Sequence, residues 1–107
     1  MDPFESAVSG GELSDNDLLI RRPEVDRNAL PDQTILLFQK DTSLAVPVNR
    51  TGASIWDMCD GAHTVGQIVD ELAEVYDQER SRIEQDTRTF LGELMRLGFV
   101  DRQSRRA

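Results

Sequence analysis

Between Thr34 and Val48 the apolar residues come in a run or at alternate positions, and after Asn49 they recur every third or fourth residue. The first pattern belongs to strands and the second to amphipathic helices. TILLFQ and LAVPV, separated by KDTS, predict two strands joined by a short loop over Lys40 to Ser43. Upstream, RRPEVDRNALPD offers the apolar position Val25 between Pro23 and Pro31 and predicts a third, weaker strand.

Three helices follow. The first is expected to open near Asn49 to Thr51, which supply N-cap side chains, and to stop at Asp60-Gly61. Its inward positions are Gly52, Ile55, Met58 and Cys59, with Trp56 on the flank. The second opens on Thr64-Val65-Gly66-Gln67, the spacing of a capping box. Val65, Ile68, Val69, Leu72, Val75 and Tyr76 line one of its faces. The third repeats the device at Ser81 to Glu84, runs to Leu97 and stops at Gly98. Strands followed by helices define a small α+β domain.

Charge sets the boundaries. The first twenty residues carry five acids, no base and a Ser-Gly-Gly break, so residues 1–20 are expected to form a disordered acidic tail. Residues 21–101 form the folded domain, and 102–107 a basic C-terminal tail. No signal peptide is expected, and no window approaches the roughly 20 apolar residues of a membrane span. The chain is therefore expected to be cytoplasmic and without membrane contact, and one cysteine, which can form no disulfide within the chain, agrees; a monomer is expected as the default for a small acidic domain. The net charge of −8 repels phosphate backbones and favours basic peptides or proteins as partners.

Trp56, the lone Cys59 and the lone His63 fall within eight residues. A turn separates Cys59 from His63, and a catalytic cysteine needs both a base and an orienting group. Cys59 shares the arc of Ile55 and is expected to pack as a small hydrophobe; His63 is expected in a surface loop. A zinc site wants about four ligands, and only scattered carboxylates remain to supply them. Trp56 is expected to close the core. No phosphate loop and no serine elbow is present. Neither a catalytic residue, a metal nor a cofactor is expected, which makes the chain a binder rather than an enzyme.

Two features suit binding. Leu44, Ala45, Val46, Pro47 and Val48 form the last strand of a meander, and therefore an edge open to another chain's strand. Pro47 removes one donor there and agrees with an edge position. On the third helix, at about 100° per residue, Ile83, Thr87, Phe90, Leu94 and Leu97 lie within about 40° of one line. Leu91 and Met95 lie beside that stripe, with Arg88 beyond. They either pack under the sheet or form one wall of a groove. Asp70, Glu71, Glu74 and Asp77 on the second helix are a solvated face or a docking surface for a basic partner.

The run PVNRTGASIWDMCDGAHTVGQIVDELAEVYD, followed by IEQDTRTFLGELMRLGFVD, resembles the PqqD family. The matching positions are Asn49, Ile55-Trp56, Asp60-Gly61, Thr64-Val65, Ile68, Leu72, Tyr76-Asp77, Phe90, Leu94 and Gly98, in a stretch of roughly residues 20–101. The resemblance implies a winged helix-turn-helix-like domain, with a three-stranded antiparallel sheet followed by three helices. It implies a peptide chaperone that makes no bonds itself. Such a chaperone binds the leader of a ribosomally made precursor by strand addition and presents it to a modifying enzyme, of the radical S-adenosylmethionine type in pyrroloquinoline quinone biosynthesis. By position, the leader would meet Leu44–Val48 and the wall Arg88, Leu91 and Met95. The acidic tail is no part of the shared pattern.

Two other readings stay open. A winged-helix DNA-binding protein would place the third helix in the major groove. That helix instead balances Arg80, Arg82, Arg88 and Arg96 against Glu84, Asp86 and Glu93, where a reading helix is strongly basic, so no nucleic acid partner is expected. An adaptor that docks an enzyme through the acidic face, and binds no leader, is the other.

Overall fold

The computed structural model describes residues 13–103. In chain order the elements are β1 (Leu18–Arg21), β2 (Val25–Ala29), β3 (Ile35–Gln39), β4 (Leu44–Val48), α1 (Arg50–Asp57), β5 (Asp60–Thr64), α2 (Val65–Val75), α3 (Arg80–Arg96) and β6 (Val100–Gln103). The α+β class is the expected one, but the strands form two antiparallel sheets, ordered β2-β3-β4 and β5-β1-β6. The first is the predicted meander, with Leu37 opposite both Arg27 and Val46.

The second sheet corrects the boundaries drawn from charge. Within the stretch taken for a tail, Leu13 and Leu19 are buried in the core, and Leu18 to Ile20 pair with β6 in a ladder that runs from Leu18↔Gln103 to Arg21↔Val100. Burial of these few leucines and the backbone pairing offset the ordering of an acidic segment. Residues 13–17 strap the helices: Asp17 O accepts from Val65 N at 2.9 Å and Asp15 O from Gly66 N at 3.0 Å. At the other end Arg102 and Gln103 belong to β6. Residues 1–12 and 104–107, where the rest of both expected tails falls, lie outside the described residues.

The helices keep their predicted places with altered ends. Asn49 caps α1, its side chain accepting from Gly52 N at 2.8 Å, but the helix stops at Asp57 because Asp60–Thr64 leave to pair with β1. Thr64 and Gln67 complete the capping box of α2. The second predicted box is not formed: α3 opens at Arg80 behind Glu79, with no side-chain cap. Gly98 ends α3 in the left-handed region, φ +84°, where glycine carries no Cβ penalty.

A single core joins both sheets and all three helices, with Leu19, Leu37, Ile68, Leu91, Leu94 and Phe99 fully buried. Buried Gln39 ties β3 to the end of α3. Its Nε2 donates to Gly98 O at 2.6 Å, and its Oε1 accepts from Asp41 N at 2.9 Å.

Candidate functional site

β4 is the outer strand of its sheet, and beyond it lies a groove of about 560 Å³. Val46, Pro47 and Val48 form one wall; Ile83, Asp86, Thr87 and Phe90 of α3 form the other. Ile55 of α1 and Leu72 of α2 line it between them, and Tyr76 at the end of α2 joins Thr51 through their hydroxyls, 3.0 Å apart. Gly52 lets α1 approach closely: a Cβ there would sit 3.1 Å from Cζ of Phe90 and 3.2 Å from Cβ of Val48. The surface is mainly apolar. Asp86, exposed, is its one ionisable carboxylate and has no ion pair among the described residues.

Of the strand residues named from the sequence, Val46, Pro47 and Val48 line this groove. Leu44, Ala45 and Pro47 are exposed, Val46 is half-buried and Val48 is buried. The predicted helix half is not on this groove. Leu91 is fully buried and Met95 packs partly buried against the same core. Arg88 is bound to Leu13 O and to the Asp15 carboxylate, on the strap. The helical stripe assigned to the core is split instead: Leu94 faces the core, joined there by Leu91 from outside the stripe, while Ile83, Thr87 and Phe90 also reach the groove. A helical wheel separates buried from exposed positions but does not say which neighbouring element covers each flank. The strap that takes Arg88 was hidden in a segment whose charge argued for disorder.

The acidic residues of α2 are all exposed, yet two are engaged within the chain. Arg80 binds Asp70 through Nε at 3.0 Å and Nη2 at 2.7 Å, and His63 Nε2 lies 3.4 Å from Glu71. Glu74 and Asp77 complete the patch.

Cys59 is fully buried, its Sγ donating to Ile55 O at 3.4 Å. Burial pushes the thiol up to about 12, which leaves it protonated and unreactive at neutral pH. His63 is not in a loop but in β5, with Nδ1 3.0 Å from Asp60 and Nε2 3.4 Å from Glu71, so both ring nitrogens face carboxylates. The hydrogen bond to His63, with the amide of Ala62, holds the Asp60 carboxyl down to about 2. Trp56 is buried as expected, with the Arg21 guanidinium 5.4 Å from its ring centroid. Among the described residues no cluster of three metal-ligating side chains occurs, and no helix is long and apolar enough to cross a membrane.

Residues 34–100 match the model of the family described as coenzyme PQQ synthesis protein D (PqqD). The chain belongs to the PqqD family. It is 38% identical over 55 residues to a PqqA binding protein of Methylococcus capsulatus, a match spanning 51% of this chain and 57% of that relative. Three solved structures share the fold. The PqqD truncation of Methylobacterium extorquens PqqCD, described as a stand-alone RiPP recognition element, has a TM-score of 0.71 at 21% identity, covering 84% of this chain and 95% of that one. TbiB1 in complex with the TbiA(beta) leader peptide has a TM-score of 0.68 at 21% identity, covering 79% and 98%. A lasso peptide synthetase B1 complexed with the leader peptide has a TM-score of 0.69 at 20% identity, covering 78% and 98%.

Proposed function

We propose that this PqqD-family chain binds the leader of a ribosomally made precursor peptide and presents it to a modifying enzyme, without catalysing a reaction itself. The observation that carries this reading is the juxtaposition of an open strand edge, Leu44–Val48, with an apolar groove walled by Ile83, Thr87 and Phe90. An extended peptide that adds to such an edge gains main-chain hydrogen bonds, and its alternate side chains enter the groove. The name of the PqqA binding relative and the two leader complexes of like fold support the same assignment. The modifying enzyme would be of the radical S-adenosylmethionine class if the pathway is that of pyrroloquinoline quinone.

The order α1, β5, α2, α3, β6 supports a winged-helix-like description, with β5 and β6 as wing strands and β1 inserted between them. It does not support DNA reading. Of the four arginines on α3, Arg80, Arg88 and Arg96 are already paired with carboxylates, which leaves little free charge for phosphates.

The test is a fluorescence-anisotropy titration of the full chain against the labelled leader of the precursor encoded beside its gene, with a scrambled leader as control. Saturable binding of the leader alone is expected. Equal binding of both peptides, or of neither, contradicts the assignment.

A further inference from the structure

The next inference rests on the leader-binding reading and specifies the segment that the groove takes. Backbone bonds at the ends of the hairpins fix which groups of β4 face outward. Lys40 N donates to Glu24 O at 3.1 Å, and Leu30 N to Thr34 O at 2.8 Å, so the even-numbered positions of β3 exchange bonds with β2. Ile35, Leu37 and Gln39 therefore point the other way, and Gln39 O accepts from Ser43 N at 2.8 Å. Their partners on β4 are Val48, Val46 and Leu44. Ala45 and Pro47 consequently turn their backbone groups to the free edge. The donor that proline lacks is one the β3–β4 ladder does not use. The edge thus offers one donor, Ala45 N–H, and two acceptors, the carbonyls of Ala45 and Pro47.

Side-chain direction adds a second constraint. Residues of an added strand that lie opposite Val46 and Val48 share their face and enter the groove toward Ile83, Thr87 and Phe90. Those opposite Ala45 and Pro47 face away. The third constraint is charge: Asp86 on the groove wall has no ion pair among the described residues, in a chain whose net charge is −8.

We propose that the groove selects an extended peptide with apolar side chains at positions i and i+2 and a lysine or arginine within reach of Asp86. Its backbone N–H groups donate to the carbonyls of Ala45 and Pro47, and only Ala45 donates in return. The pattern has a period of two in either strand direction.

The test uses the full chain and a displayed library of random peptides. The enriched sequences should carry the alternate apolar pair and a basic residue. In the tightest binder, N-methylation of the residues that donate to Ala45 and Pro47 should weaken binding about tenfold each, and of the residue between them hardly at all. Pro47→Ala restores a donor and should tighten binding about threefold. Asp86→Asn should weaken a lysine-containing binder about threefold, and should not affect the same peptide with norleucine in place of lysine. Binding that shows no alternation on N-methylation, or no coupling between Asp86 and the basic residue, overturns this specification and leaves the leader-binding reading intact. A library that enriches nothing, with the leader of the neighbouring precursor also failing to bind, overturns both.

Discussion

The side-chain amide of Gln39 donates to the carbonyl of Gly98 across 2.6 Å, joining the central strand of one sheet to the turn that ends α3. The same amide lies 3.3 Å from the Glu24 carboxylate, which Arg22 Nε holds at 2.7 Å. This chain of bonds ties β3 to the turn at the end of α3. Gln39→Ala strands the Gly98 carbonyl and the Asp41 amide. A loss of about 1–3 kcal/mol in urea unfolding is expected, with unchanged m-value. A variant as stable as the parent contradicts the role.

Neighbouring residues on α3 have opposite roles. Leu91 is fully buried, so Leu91→Ala should cost about 2–5 kcal/mol, and Leu91→Glu should fail to fold. Phe90, half-buried at the groove, can turn a replacement toward solvent. Phe90→Glu should melt cooperatively and lose leader binding by at least about tenfold. Thermal melts paired with titrations separate the two; loss of folding in both variants would place Phe90 in the core as well.

Arg88 anchors the strap through Leu13 O and Asp15. Its substitution by glutamine should cost about 1–2 kcal/mol and raise amide exchange at Val65 and Gly66, whose N–H groups bond the strap carbonyls of Asp17 and Asp15. Leader affinity should stay within about twofold, because the strap lies on the flank of α3 away from the groove. Exchange unchanged at those two amides would contradict the anchoring role.

His63 bridges Asp60 and Glu71, and its pKa is raised, chiefly by the hydrogen bond to Asp60. Because the folded value is the higher one, this stabilisation is fully present below about pH 6.5 and is lost as pH rises through the raised value. Asp60 behaves oppositely: its contribution is present above about pH 3.9 and is lost as pH falls through about 2. The pair is about one-third exposed, which limits its worth to under about 1 kcal/mol. Tm measured from pH 5 to 9 should fall slightly more for the parent than for His63→Gln. Parallel profiles would show that the bridge contributes nothing.

The elements legible in the sequence were those whose signals are local. TILLFQ and LAVPV, the cap of α1 by Asn49 and the Thr64-Gln67 box each specify themselves within a few residues, and all are found. The sheet β5-β1-β6 was not legible, because it assembles three short strands of four or five residues from both ends and the middle of the chain, and apolar β1 lies in an acidic stretch. Asp60-Gly61-Ala62-His63-Thr64 carries no strand pattern and is extended only because β1 pairs with it. Likewise the groove's strand wall followed from Leu44–Val48 being last in a meander. Its helical wall did not, since choosing between Phe90 and Leu91 required knowing that Leu13 and Leu19 share the core with Leu91.

The most direct measurement is an ¹⁵N-detected titration of the full chain with the leader of the precursor encoded beside its gene. A leader seated in the groove should give amide shifts concentrated on Ala45, Val46 and Val48 and on Ile83, Asp86, Thr87 and Phe90, with the α2 amides of Asp70 and Glu71 unmoved. Saturating leader that shifts only Asp70 to Asp77, or shifts nothing, would contradict that seating.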